Sequence, residues 1–189
     1  MLWKIIAYIV SRPVVANWLI RRAMRRPYSP IIKNGELYMN RWWLFNPYPD
    51  TGGSGADRSR WQFPISIRIH HILLPDQDRH LHDHPWNART IILKAGYIEE
   101  REVISRPAKG SVWEWLASQG KAPWSESLKL KFVRFKGQTV TLNYGEFHRI
   151  TFVQPGGAWT IFITGKYRGT WGFDVDGKKV KWRKYLGME

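Results

Sequence analysis

A chain of 189 residues has the size of one domain and leaves room for a terminal extension. It contains no cysteine, which excludes disulfides, thiolate zinc sites, iron–sulfur clusters and cysteine nucleophiles, so a metal site would need nitrogen and oxygen ligands. Thirty Lys and Arg residues against fifteen Asp and Glu residues give a formal charge of +15, which favours contact with polyanions such as nucleic acid.

Residues 2–26 combine apolar clusters with a basic end. Pro13 directly follows Arg12 and interrupts any helix at that point, so the segment predicts two short helices. We interpret residues 1–37 as a basic helical N-terminal extension.

The same segment is a poor candidate for a membrane span, because Lys4, Arg12 and Pro13 interrupt the roughly 20 apolar residues that a span requires. An interfacial helix is an alternative, with Trp3 and Trp18 among lipid headgroups. Packing on the rest of the protein or on a second subunit is the favoured interpretation, and no secretory signal is visible. The sequence therefore predicts a cytoplasmic protein, and it favours packing of residues 2–26 over contact with a membrane surface, which is kept as the weaker alternative.

From Tyr38 onward, short alternating runs are separated by Gly, Pro and Asp clusters, which is typical of an antiparallel sandwich or barrel. We interpret residues 38–189 as one mainly β domain. Strands are predicted for Pro64 to Leu74, where Ser66, Arg68 and His70 share one face, and for Ser111 to Trp115, among others. Residues 51–59 predict a polar loop.

Three histidines alternate along one stretch of the chain, at His80, His82 and His84. Side chains two residues apart on a strand point to the same face, so these imidazoles can approach one ion. Strand parity does not show which of the three histidines bind an ion, and a solvated strand end is an alternative explanation of the pattern.

The stretch resembles the first motif of the cupin superfamily. That motif is HxH, three or four residues, Glu, six residues, Gly. Here His82-Asp-His84 is followed by Pro-Trp-Asn-Ala, then by Arg89, then by six residues and Gly96.

A second stretch resembles the second cupin motif, which is Gly, five residues, Pro-x-Gly, two residues, His. Gly137 is followed by five residues, by Asn143-Tyr-Gly145 and, after two more, by His148. The resemblance implies a cupin double-stranded β-helix, which is a jelly-roll barrel. It also implies that one divalent metal ion is held by His82, His84 and His148.

Arg89 occupies the position where many cupins have a glutamate ligand. A guanidinium has no acceptor and cannot coordinate a metal. The site would then resemble the three-histidine iron site of thiol dioxygenases, with Fe(II) as the expected ion and Zn, Mn or Ni as alternatives. Three protein ligands leave coordination positions for water or substrate.

Strand parity places Arg89 on one face with Ile91 and Leu93, and we predict that this face points inward. Arg89 would then bind an anionic group of a substrate near the ion. The alternatives are an ion pair with Glu99 or Glu146, or simple exposure. Glu99 and Tyr144 are further candidate catalytic residues, without an assigned role.

Three short segments also resemble a group of cupins found in bacteriophages and prophages: HDHPW beginning at His82, GEFHR beginning at Gly145 and WGF beginning at Trp171. Two functions follow as hypotheses. The first is a metal-dependent, oxygenase-like enzyme that acts on a small anionic substrate. The second is a phage-associated nucleic-acid-binding or scaffold protein of cupin fold. The resemblance further implies a homodimer.

Overall fold

The computed structural model describes residues 1–47, 63–105, 109, 111–121 and 126–189. The chain begins with two helices, as predicted: α1 (Leu2–Val10) and α2 (Pro13–Met24). Pro13 lies in the first turn of α2, where its missing N–H would have no partner within the helix. In the part of the chain just defined, no helix combines the length and the apolar character needed to cross a bilayer.

The remaining elements are mostly strands. In chain order they are β1 (Pro27–Lys33), β2 (Glu36–Phe45), β3 (Ser66–Ile72), β4 (Trp86–Lys94), β5 (Gly96–Ser105), α3 (Val112–Ser118), β6 (Glu126–Phe135), β7 (Thr139–Leu142), β8 (His148–Val153), β9 (Ala158–Tyr167), β10 (Gly172–Val175), β11 (Lys178–Lys181) and α4 (Trp182–Tyr185).

Two antiparallel sheets face each other. One has the strand order β1-β2-β3-β9-β4-β7 and the other the order β6-β5-β8, while β10 and β11 form a separate hairpin. His82 forms an isolated β-bridge with His148, so the segment around His82 lies beside β8 at the edge of the smaller sheet. From β3 to β9 the chain therefore crosses repeatedly between the two sheets, which is the topology of a jelly roll. The predicted mainly β, jelly-roll fold is confirmed.

Apolar residues are buried on both faces of the larger sheet. Between the sheets, Ile72 and Ile92 pack with Tyr97 and Ile150 of the opposite sheet. On the outer face, α1 and α2 cover a second cluster, formed by Ala7, Ala16, Ile20, Ala23, Ile69, Ile91, Leu93 and Ile161. The helices therefore convert the outer face of this sheet into a second core.

Two expectations about local structure need correction. The predicted strand from Ser111 to Trp115 is wrong, because Ser111 caps α3: its hydroxyl accepts a hydrogen bond from the backbone N–H of Glu114 (3.1 Å). The segment 1–37 is not helical throughout, because the helices end at Met24 and β1 begins at Pro27. The predicted loop at 51–59 lies outside the described residues.

Candidate metal centre

The jelly roll brings together the three histidines of the two motifs. His82 and His148 exchange both backbone hydrogen bonds at 2.9 Å, and His84 follows two residues later, just before β4. One ring nitrogen from each histidine lies within 4.8 Å of the other two. The Nε2 atoms of His84 and His148 are 2.9 Å apart. These two nitrogens are separated by about the distance expected for two imidazoles that bind one ion, since a metal–nitrogen bond is about 2.1 Å long.

The protonation of this group suits coordination. Burial lowers the pKa of His82 to about 4, and the positive charge of Lys33 acts in the same direction. Burial also places the pKa of His84 well below its ordinary value. Both imidazoles are therefore neutral at pH near 7, and a neutral imidazole is the form that binds a metal.

A buried carboxylate orients the third histidine. Glu99 is only 1% exposed, and its Oε1 lies 2.9 Å from Nδ1 of His148. Arg101 and Arg134 flank the same carboxylate, at 2.9 and 2.7 Å. Burial alone would raise the pKa of Glu99, but the hydrogen bond from His148 and the contact with Arg101 outweigh it, and the pKa lies well below its ordinary value. An ionised Glu99 accepts the Nδ1 proton of His148 and leaves Nε2 available for an ion.

Two aspartates lie near the histidines and have structural partners. Asp83 lies between His82 and His84 in the sequence and is fully buried. Its carboxylate accepts hydrogen bonds from the backbone N–H of Gly172 (2.8 Å) and from Lys179. Asp76 accepts from the backbone N–H of Ile150 at 2.7 Å, and its negative charge partly offsets the lowering of the His82 pKa. Neither aspartate belongs to the three-histidine group.

His148 lines a cavity of about 470 Å³. Its wall comes from β5, β6 and the turn between β7 and β8, and it includes Arg101, Arg134, Leu142, Gly145, Glu146 and His148. The Nε atom of Arg101 is buried without a hydrogen-bond partner among the described residues. A molecule that enters this cavity therefore meets arginine side chains and a metal-ligand candidate together.

The barrel interior on the other side of the group, next to His84, is also polar. Arg68 is 3% exposed, and its guanidinium lies 5.4 Å from the ring centres of both Trp86 and Phe162. His70 stacks on Phe162 and is opposite Thr160 in the sheet register. Within the described ranges, three buried atoms here have no hydrogen-bond partner: His70 Nε2, Trp86 Nε1 and Thr160 Oγ1. Unpaired buried polar atoms of this kind are normally satisfied by water or a bound molecule.

Arg89 requires a correction. It shares a face with Ile91 and Leu93, as parity predicts, but that face is the outer one, packed under the helices. Its guanidinium lies 4.5 Å from the ring centre of Trp3 and donates to Thr139 (3.1 Å). The structure therefore does not bring Arg89 to the histidines, and no ion pair joins it to Glu99, which pairs with Arg101 and Arg134.

The other predicted residues lie at different distances from the centre. Glu99 contacts His148 directly. Tyr144 lies in the turn between β7 and β8, partly exposed, with the ammonium of Lys179 at 5.0 Å from its ring centre. His80 is paired with the hydroxyl of Tyr185 at 2.9 Å, outside the three-histidine group.

Sequence reasoning missed the arginines that do reach the site. Arg101 is two residues from Glu99 on β5 and thus shares its face, a signal present in the sequence. Arg134 joins them only through the pairing of β5 with β6, where it is opposite Tyr97. That register is a property of the folded sheet.

No family model matches the sequence, and no curated protein matches it. Several solved structures are similar in fold. Fe(II)-HppE with the alternative substrate (S)-1-HPP is 11% identical, with a TM-score of 0.45 over 76% of this chain and 57% of that one. A single-substitution variant of oxalate decarboxylase from Bacillus subtilis is 8% identical, with a TM-score of 0.47 over 88% of this chain and 33% of that one. Hydroxypropylphosphonic acid epoxidase from S. wedmorenis is 13% identical, with a TM-score of 0.39 over 72% of this chain and 55% of that one. The chain thus spans between one third and three fifths of these structures.

Proposed function

We propose that this protein is a metal-dependent, oxygenase-like enzyme that acts on a small anionic substrate. His82, His84 and His148 would hold one divalent ion. The observation that carries the proposal is the convergence of ring nitrogens from three buried or half-buried histidines within 4.8 Å, one of which, His148, also lines a cavity. Three protein ligands leave coordination positions free, which is typical of catalytic rather than structural metal sites.

The donor set is compatible with several metals. Imidazole nitrogen suits Fe, Zn, Ni and Cu, and the absence of cysteine leaves no thiolate donor. We propose Fe(II), which would supply the redox chemistry of an oxygenase, with Zn, Mn and Ni as alternatives.

The chain's own residues would prepare the site in two ways. Glu99 holds the proton of His148 on Nδ1, so that Nε2 faces the other two histidines. Arg101 lines the cavity, and its buried Nε has no hydrogen-bond partner among the described residues, so the guanidinium could donate to a carboxylate or phosphate oxygen there.

The charge balance favours an anionic substrate. The buried carboxylates near the histidines already have cationic partners: Glu99 pairs with Arg101 and Arg134, Asp83 with Lys179, and Asp76 with Lys33. A divalent ion beside neutral imidazoles would therefore leave the site with excess positive charge, and a small anion would compensate it. The unpaired polar atoms near His84 would be satisfied by water or by hydrogen-bonding groups of a bound molecule.

Elemental analysis of the purified protein tests the metal centre. We expect about one divalent ion per chain in the wild type, as for one three-ligand site, and loss of the ion in His82→Ala and His148→Ala. His71→Ala is a matched control, because His71 stacks on Trp159 on the outer face and lies outside the group. Equal metal content in all four proteins would contradict the proposal.

The formal charge of +15 supports a second candidate function, a nucleic-acid-binding or scaffold protein in which the metal centre has no catalytic role. Under that alternative, binding to DNA or RNA would weaken steeply with salt and would be unaffected by His148→Ala. A metal-dependent turnover that His148→Ala abolishes would support the enzyme instead.

A further inference from the structure

The two N-terminal helices bury only one side. Small and aliphatic residues, Ala7 on α1 and Ala16, Ile20 and Ala23 on α2, pack on the outer face of the larger sheet. Because both helices lie on this one sheet, their opposite sides both point away from it. Those opposite sides carry large apolar residues, which we call the N-terminal apolar face: Leu2, Ile5, Tyr8, Ile9, Val14 and Trp18.

The face has helical spacing and high exposure. Leu2, Ile5 and Ile9 are three and four residues apart, so they form one stripe along α1, and Val14 and Trp18 are four apart on α2. Ile5 and Ile9 are about half exposed, at 48% and 51%, and Val14 is 81% exposed. Scattered apolar residues are normal on a surface, whereas a continuous stripe indicates a partner.

The charge around this face has a single sign. Residues 1–26 contain no Asp or Glu and six basic residues: Lys4, Arg12, Arg21, Arg22, Arg25 and Arg26. All six side chains are exposed. The guanidinium of Arg12 lies 4.8 Å from the ring centre of Tyr8, so cations border the apolar stripe directly. The partner must therefore offer an apolar phase and negative charge together.

We propose that the N-terminal apolar face binds the surface of an anionic phospholipid bilayer, with α1 and α2 lying in the interface. Aliphatic side chains would enter the acyl boundary, Trp18 and Tyr8 would lie at headgroup level, and the arginines would contact anionic headgroups. The helices are too short to span, in keeping with peripheral binding. The sequence favours packing of these helices on the barrel, and the structure shows that packing for one side of each helix. The other side is left for lipid.

Two other occupants fit the face less well. A second copy of the chain would bring six cations against six, with no acidic residue in either segment to compensate them. Nucleic acid would match the charge, and Tyr8 and Trp18 could stack on bases, but the four aliphatic members of the face, Leu2, Ile5, Ile9 and Val14, would gain nothing from a polar, charged backbone.

Vesicle flotation tests the proposal with the full chain. We expect the wild type to float with vesicles of equal parts phosphatidylcholine and phosphatidylglycerol, and not with phosphatidylcholine alone. The variant Ile5→Gln/Ile9→Gln should bind the anionic vesicles about tenfold more weakly. Ile32→Gln is the matched control, because Ile32 is 61% exposed on β1, away from the face, and should leave binding unchanged.

A second pair of variants tests the charge. Arg21→Gln/Arg22→Gln should weaken binding to anionic vesicles about tenfold. Lys129→Gln/Lys131→Gln, which removes the same charge from exposed positions of β6, should weaken it much less. An unchanged thermal unfolding temperature in each variant would show that the fold is intact.

Any of three results would overturn the proposal. The first is absence of flotation by the wild type, and the second is equal flotation of the wild type and Ile5→Gln/Ile9→Gln. The third is a dimer in sedimentation velocity that Ile5→Gln/Ile9→Gln dissociates, without flotation of the wild type, which would assign the face to a second copy.

Discussion

The Nδ1 atom of His148 lies 2.9 Å from Oε1 of Glu99, and this one contact joins the metal-ligand candidates to a buried ion network. Arg101 and Arg134 complete the network on the far side of the carboxylate. Because Glu99 is ionised and almost fully buried, it controls the tautomer of His148 and also places a negative charge beside that imidazole.

Substitution of Glu99 should therefore affect metal affinity. In Glu99→Gln, the negative charge behind His148 is lost, and we expect metal affinity to fall by about 10 to 100-fold. The affinity of the folded protein, measured by metal titration, checks this expectation. Glu36→Gln, at an exposed site on β2, is the control and should titrate like the wild type. Unchanged affinity in Glu99→Gln would show that the carboxylate does not act through His148.

The two arginine positions make opposite predictions about anion binding. In the metal-loaded protein, Arg101→Gln should weaken the binding of inorganic phosphate by about tenfold, because one charge-assisted hydrogen bond is lost. Arg89→Gln should leave phosphate binding unchanged, since Arg89 lies under Trp3 on the outer face. Isothermal titration calorimetry measures both. A larger effect of Arg89→Gln would restore the interpretation drawn from the motif.

His70 should make the fold sensitive to acid. Burial, with a contribution from the charge of Arg68, lowers the pKa of His70 well below its ordinary value. The unfolded state then binds one more proton than the folded state below pH about 6.5, so His70 costs stability as the pH falls through that value.

In His70→Gln, the free energy of unfolding should fall less steeply below pH about 6.5, by about 1.4 kcal/mol per pH unit relative to the wild type. Urea unfolding of both proteins at pH about 7 and about 5.5 measures the difference. Parallel pH dependences would mean that His70 has the same pKa in the folded and unfolded states.

Gly96, the glycine of the first motif, has a steric reason to be glycine. A Cβ at this position would lie 2.2 Å from the backbone oxygen of Arg134 on the neighbouring strand. We expect Gly96→Ala to lower the free energy of unfolding by about 3 kcal/mol, because backbone must move to relieve the contact. Gly165→Ala is the control: its Cβ would come no closer than 3.4 Å to a neighbour, and we expect a change within about 1 kcal/mol. Thermal or urea unfolding distinguishes the two.

The sequence was sufficient to predict the class of fold and the histidine group. Alternating strands and turn residues depend on local chemistry, and the resemblance to two cupin motifs implied the group His82, His84 and His148. Local capping was also present in the sequence, in the spacing from Ser111 to Glu114, although the segment was interpreted as a strand.

Which face of a strand points to the site was decided by the tertiary structure alone. Parity correctly grouped Arg89 with Ile91 and Leu93, and Arg68 with His70, but it could not say which group faces inward. Because α1 and α2 cover the outer face of β4, both of its faces are buried, and apolar character no longer distinguishes inside from outside. The arginines at the cavity, and the apolar stripe left exposed on α1, follow from that packing, since each depends on contacts between segments far apart in the chain.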